Sequence, residues 1–177
     1  MKQLIIGKAI IGLFISLLFT PYLNAQIDWL KRGSDSTKYE MSAVGSEYKN
    51  KKILTIRSIV TDITGFGTYM QKMSSINYLG KRVRMTGYMK SDELSDWGEF
   101  WLRIDQSIPP ITLAFDNMQD RSIQGTSDWG LYQIVLDVPA NASSISFGAI
   151  LTRTGQIWFT EPDFEIVDTS IPTTGGK

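Results

Sequence analysis

The sequence predicts an all-β fold, a two-sheet antiparallel β-sandwich with jelly-roll topology. Three observations carry that expectation. Apolar residues recur at every second position through most of the chain, turn residues punctuate those runs, and no segment after residue 25 keeps a helical period. One greasy and one polar side per strand describes antiparallel sheets with a single buried face. About ten such strands imply two sheets packed against each other.

The alternation can be followed element by element. Tyr39–Val44 shows it weakly, and Lys52–Ser58 and Gly67–Met73 show it clearly. In Lys81–Lys90, Val83, Met85 and Met89 alternate with Arg82, Arg84, Thr86, Tyr88 and Lys90. In Gly98–Gln106, Phe100, Leu102 and Ile104 alternate with Glu99, Trp101, Arg103 and Asp105. Ile111, Leu113 and Phe115 continue the rhythm, then Tyr132, Ile134, Leu136 and Val138, then Ile145, Phe147, Ala149 and Leu151. Ile157 with Phe159 and Phe164 with Ile166 close the series. Asn50-Lys51, Gly80, Pro109-Pro110, Pro139-Ala140-Asn141, Thr154-Gly155 and Glu161-Pro162-Asp163 supply the turns between runs.

The first 25 residues read as an export signal. Lys2 and Lys8 precede an apolar run of eleven residues, Ala9–Phe19, and Leu23-Asn24-Ala25 offers a cleavage site before Gln26. A spanning helix needs about 20 apolar residues, whereas a signal core needs about 7–15. Leu23 fits poorly three residues before the cut, which leaves an uncleaved N-terminal anchor as the alternative. Residues 1–25 are therefore expected to be a signal peptide, 26–168 the β-sandwich, and 169–177 a disordered tail, in a secreted or periplasmic protein with no membrane insertion once the signal is cut.

Composition narrows the chemistry. Cleavage leaves 152 of the 177 residues, enough for one domain to fold without staples, and the chain has no cysteine. Removing Lys2 and Lys8 leaves 16 basic and 18 acidic residues, a net charge of −2 that argues against a nucleic-acid partner. Histidine is absent too, so the usual general base, thiol nucleophile and transition-metal ligands are missing together. Any catalysis would have to run on Asp, Glu, Tyr, Lys, Arg or Ser.

Three blocks carry a resemblance: GKRVRMTGYMKS (80–91), DWGLYQIVLDVP (128–139) and ISFGAILTRTGQIWFTEPDFEIV (145–167). In that order they resemble jelly-roll carbohydrate-binding modules of the galactose-binding-like superfamily. Gly65–Gln71, Trp97–Asp105 and Leu113–Thr126 further resemble an uncharacterised bacterial domain often found beside AraC-type regulator modules. No helix-turn-helix segment accompanies them, and neither resemblance implies catalytic residues. In sugar-binding jelly rolls, the stretch corresponding to Thr160-Glu161-Pro162-Asp163 often contributes to a structural Ca²⁺ site through paired acids, and this chain departs from that pattern.

The candidate ligand site starts from Trp101 and Arg103, which share a face with Glu99 and Asp105 through their spacing of two. Tyr69, Gln71, Arg84, Tyr88 and Asp116 are expected to join them, with Gln156 and Trp158 entering from the last strands. Aromatic rings pack on the C–H face of a sugar, while carboxylate, amide and guanidinium groups bind its hydroxyls. The competing reading is structural, because aromatics are common in strands and Arg–carboxylate pairs are ordinary cross-strand contacts. Glu40 and Asp163 are weak Ca²⁺ ligand candidates if the chain ends pair; no other cofactor is expected. Three functions follow in order: a non-enzymatic module binding a glycan or other small polar ligand, a structural or protein-interaction sandwich, and a carboxylate-based glycan hydrolase.

Overall fold

The computed structural model describes residues 28–175; the expected signal peptide, and Gly176 and Lys177, lie outside the described residues. Among the described residues, ten antiparallel strands form the fold: β1 (Leu30–Arg32), β2 (Tyr39–Tyr48), β3 (Lys51–Ser58), β4 (Phe66–Ser74), β5 (Lys81–Gln106), β6 (Ile111–Asp116), β7 (Ile123–Val138), β8 (Ser144–Thr152), β9 (Gln156–Thr160) and β10 (Asp163–Val167). The two-layer jelly roll expected from alternation is the architecture of the chain.

The two Lys81–Lys90 and Gly98–Gln106 runs are one strand. β5 pairs through its first half with β7 on one side and with β9 and β10 on the other, and through its second half with β8 and β6. The first layer therefore reads β2-β3-β9/β10-β5-β7, and the second β1-β4-β8-β5-β6. Three register shifts between Met89 and Trp97 let β5 turn from one layer to the other.

Those shifts also change which parity points inward. Val83, Met85 and Met89 are buried in the first half; Phe100, Leu102 and Ile104 are buried in the second. The rings of Phe100 and Phe159 meet edge to face across the layers at 5.9 Å, and Phe147 meets Phe164 at 4.7 Å. Gly87 is the inward position between Met85 and Met89, where a Cβ would come within 2.7 Å of Phe100 Cζ. A glycine there makes room for the ring.

The C-terminal segment departs from expectation. Thr174 donates its N–H to Val135 O at 2.9 Å, Val135 N–H returns a bond to Thr174 Oγ1, and Thr174 Oγ1 donates to Asp116 Oδ2 at 2.6 Å. Arg82 also binds the carbonyls of Thr169 and Ile171. Residues 169–175 thus follow the open edge of β7. Alternation could not reveal them, because the segment is held by backbone and hydroxyl bonds and not by an apolar face.

Removing the Phe159 side chain, which is wholly buried against Phe100 and Trp29, would open a cavity that both layers share. Phe159→Ala is expected to cost about 3–5 kcal/mol of stability in urea unfolding; a loss below about 1 kcal/mol would contradict this packing.

Candidate functional site

The expected site residues divide among three locations. Trp101 and Arg103 share the outer face of the second layer, as their spacing requires. Arg84, Tyr88, Gln156 and Trp158 lie on the outer face of the first layer, on the far side of the core. Arg84 there is paired with Glu165 at 2.6 Å. Tyr88 and Trp129 flank Tyr48, the latter stacked at 4.4 Å, and Lys90 sits 4.5 Å from the Trp158 ring centre.

Tyr69 and Gln71 turn toward the layer interior. They are register partners of Ala149 and Phe147, which point into the core, and Tyr69 packs on Trp29 at 5.3 Å. Burial raises the Tyr69 phenol above its ordinary value, with Asp28 adding to the effect. The eight residues do not form one surface, because the parity change within β5 separates Tyr88 from Trp101 and β4 runs in the opposite phase to the one expected.

Asp116 is a structural anchor. It is the partner of Leu102 on the inward parity, accepts the Met118 N–H at 2.7 Å, and takes Arg121 Nη2 and Thr174 Oγ1 at 2.6 Å each. Glu40 and Asp163 do not meet. Glu40 pairs with Arg57 near one end of β3, and Asp163 with Lys51 at the other. Among the described residues no group of three or more His, Cys, Asp or Glu side chains could hold a metal ion.

What the second layer does carry is a groove. Its apolar half, about 280 Å³, is lined by Phe66, Met70, Trp101, Phe115 and Ile150 with Arg32 and Arg103. Its polar half, about 440 Å³, is lined by Lys72, Arg103, Asp105, Gln106, Thr112 and Ser144 among others. Arg103 borders both, so the two halves adjoin at its side chain. Arg103 Nε binds Asp105 Oδ2 at 2.9 Å, and Thr112 Oγ1 donates to the other Asp105 oxygen.

Trp101 is the floor of this groove and not an open platform, being only 6% exposed. Its Nε1 donates to Thr68 Oγ1 at 2.9 Å, and Thr68 Oγ1 donates on to Ala149 O. Thr68 is on β4 and Trp101 on β5, so the indole crosses β8 between them. Gly148 is the β8 partner of Trp101, and a Cβ there would lie 2.3 Å from Tyr69 O. The side-chain-free position lets the strands close up beneath the ring.

Sequence reasoning missed Phe115, Thr68, Met70, Lys72 and Ser146 on this face. Phe115 had been placed inward with Leu113, but a bulge opposite Ile104/Asp105 shifts the pairing and turns Phe115 outward beside Arg103. For β4 hydropathy gave no signal: Gly67, Tyr69, Gln71 and Met73 share the inward parity, but Phe66 and Met70 give the outward parity equal apolar weight.

Glu99 lies one step along the same face and is 1% exposed, with neither carboxyl oxygen hydrogen-bonded among the described residues. Burial pushes its carboxyl up to about 8; nearby Asn117 and Arg121 pull the other way and Asp116 adds to the rise. The folded state holds this proton where the unfolded chain has released it.

The chain can now be set beside known proteins. No protein-family model matches it. Over 148 residues, 82% of this chain, it is 38% identical to an uncharacterized HTH-type transcriptional regulator, YbfP of Bacillus subtilis (strain 168), and it spans only about half (50%) of that regulator's length. The fold is similar to the CBM22-1 xylan-binding domain of Paenibacillus barcinonensis Xyn10C, with a TM-score of 0.52 and 15% identity over 80% of this chain and 87% of that one. It is similar to a family 16 carbohydrate-binding module, with a TM-score of 0.54 and 13% identity over 75% and 92%. The enzymatically active domain of bacteriophage CBA120 tailspike protein 4 matches with a TM-score of 0.60 and 11% identity, over 79% of this chain and 19% of that one. At these identities the likeness to solved structures is one of fold.

Two measurements check this geometry. Trp101→Ala, which removes a buried ring and its bond to Thr68, is expected to lower stability by about 3–5 kcal/mol; an unchanged melting temperature would mean the indole is exposed. Because the Glu99 carboxyl is raised from 4.5 to about 8, its contribution is fully favourable below pH 4.5 and declines as pH rises toward 8. Glu99→Gln should therefore flatten the stability profile between those values, and a profile parallel to that of the unsubstituted protein would contradict the burial of this acid.

Proposed function

We propose that this chain is an exported, non-enzymatic carbohydrate-binding module whose ligand lies in the groove of the second layer. The observation that carries this reading is the groove's division into an apolar half and a polar half that meet at Arg103. A sugar ring offers the same division, with C–H surface on its faces and hydroxyls around its rim. Phe115, 39% exposed at the groove wall, supplies packing surface, and Arg103, Gln106 and Thr112 supply hydrogen-bonding groups.

The fold neighbours support the ligand class, since the names they bear are those of xylan-binding and carbohydrate-binding modules. The carboxyls on this face favour binding over hydrolysis. A glycosidase sets two acids about 5–10 Å apart in a groove. Here Glu99 is buried, and Asp105 is committed to Arg103 and Thr112. Export rests on the sequence of residues 1–25, and a mature N-terminus at Gln26 would bear it out. The regulator YbfP shares the stretch matched here; among the described residues this chain has only two short 3₁₀ turns besides its strands.

A glycan array followed by titration calorimetry with the best ligand tests the reading. Phe115→Ala is expected to weaken binding about tenfold, near 1.4 kcal/mol, while the melting temperature stays within a few degrees. Unchanged affinity in that variant would remove the ligand from this groove.

A further inference from the structure

The charges of the groove are one-sided. Arg32, Lys72 and Arg103 line it, and among the described residues the one carboxylate in its lining is Asp105. Lys72 has no carboxylate partner among the described residues. Arg103 engages Asp105 through Nε alone, which leaves both Nη groups for another acceptor among the described residues. Glu99 shares this outward parity but is buried and holds its proton at neutral pH, so it does not offset the cations.

Register places two of these cations in one row. Lys72 on β4 and Arg103 on β5 are both partners of Ser146 on the intervening β8. With strands about 4.8 Å apart, their backbones stand roughly 10 Å from each other, a gap that their long side chains can close around one small anion. Ser146 is 1% exposed, and its Oγ has no hydrogen-bond partner among the described residues. Buried hydroxyls are almost always bonded. This one has the parity that faces the groove and lies at the midpoint of the Lys72–Arg103 row. Phe115 extends the row on the far side of Arg103.

The geometry points to an acidic saccharide as the ligand, with the carboxylate of a uronic-acid unit held between Lys72 and the Arg103 Nη groups and the Ser146 hydroxyl donating from beneath. The inference rests on the carbohydrate reading above and specifies its substrate class. A guanidinium presents two parallel N–H groups to a carboxylate, and an ammonium adds a point charge. The adjoining apolar half then packs on the sugar ring that bears the acid.

Titration calorimetry with three hexasaccharides distinguishes the outcomes: hexagalacturonate, a sulfated galactan hexamer, and neutral xylohexaose. Hexagalacturonate is expected to bind at least about tenfold more tightly than xylohexaose, with an advantage that shrinks as salt screens the charges. Lys72→Ala and Arg103→Gln should each remove most of that ratio. Ser146→Ala should lower the ratio about threefold while leaving the melting temperature unchanged or raised, because it deletes an unbonded hydroxyl. Equal affinity for the acidic and neutral hexamers, or a ratio indifferent to Lys72→Ala, overturns the acidic assignment and leaves the carbohydrate reading standing. Preference for the sulfated galactan over the uronate overturns the carboxylate. Binding to none of the three overturns both readings.

Discussion

β5 belongs to both layers, and the rest of the molecule is arranged around that constraint. A strand that turns from one sheet into the other must keep its hydrogen-bonding partners while its inward side moves to a new core wall. Here the register shifts between Met89 and Trp97 accomplish the turn and alter the parity. Val83, Met85 and Met89 face the core before the turn; Phe100, Leu102 and Ile104 face it afterwards. Had the parity been kept, Trp101 and Arg103 would point into the apolar interior, where an unpaired guanidinium is not tolerated. The groove exists because the strand changes phase.

The groove is assembled from parts that also hold the fold. The indole of Trp101 lies across β8 and ties β5 to β4 through Thr68, so a ligand packed above it rests on a strut. Asp116, at the end of the strand that presents Phe115, is fixed by Arg121, by the Met118 amide and by Thr174 of the C-terminal segment. Charged and apolar groups on the ligand side are thereby held by elements that have little freedom to move. Rigid presentation lowers the ordering cost of binding.

The sandwich was legible because burial imposes a period of two on every half-covered strand, and Tyr132–Val138 and Ile145–Leu151 show it without interruption. The pairing of Trp101 with Arg103 on one outer face was legible for the same reason. What periodicity does not encode is phase across a bend or an extra residue. Tyr88 and Trp101 both belong to outward sets, yet those sets open on opposite sides of the molecule. Tyr69 and Gln71 were expected to share the face of Trp101, whereas Tyr69 keeps step with Gly67 and Met73 and packs on Trp29, and Phe66 and Met70 give the opposite parity equal apolar weight. The C-terminal segment was illegible because Thr174 is held by hydrogen bonds to an edge strand, and such bonds leave no hydropathy pattern.

The bulge opposite Ile104 and Asp105 has a broader consequence. β6 carries one residue more than its partner requires at this point, and that surplus decides which of Phe115 and Asp116 looks out over the groove. Neighbouring positions of opposite character stand on the two sides of the sheet, so their roles are assigned by counting and not by composition. Regular pairing of the same residues, with Leu113 opposite Ile104, would turn Asp116 to the groove and Phe115 to the core with no substitution at all. In a fold of this kind, the placing of a bulge within a strand is a route to new ligand preference.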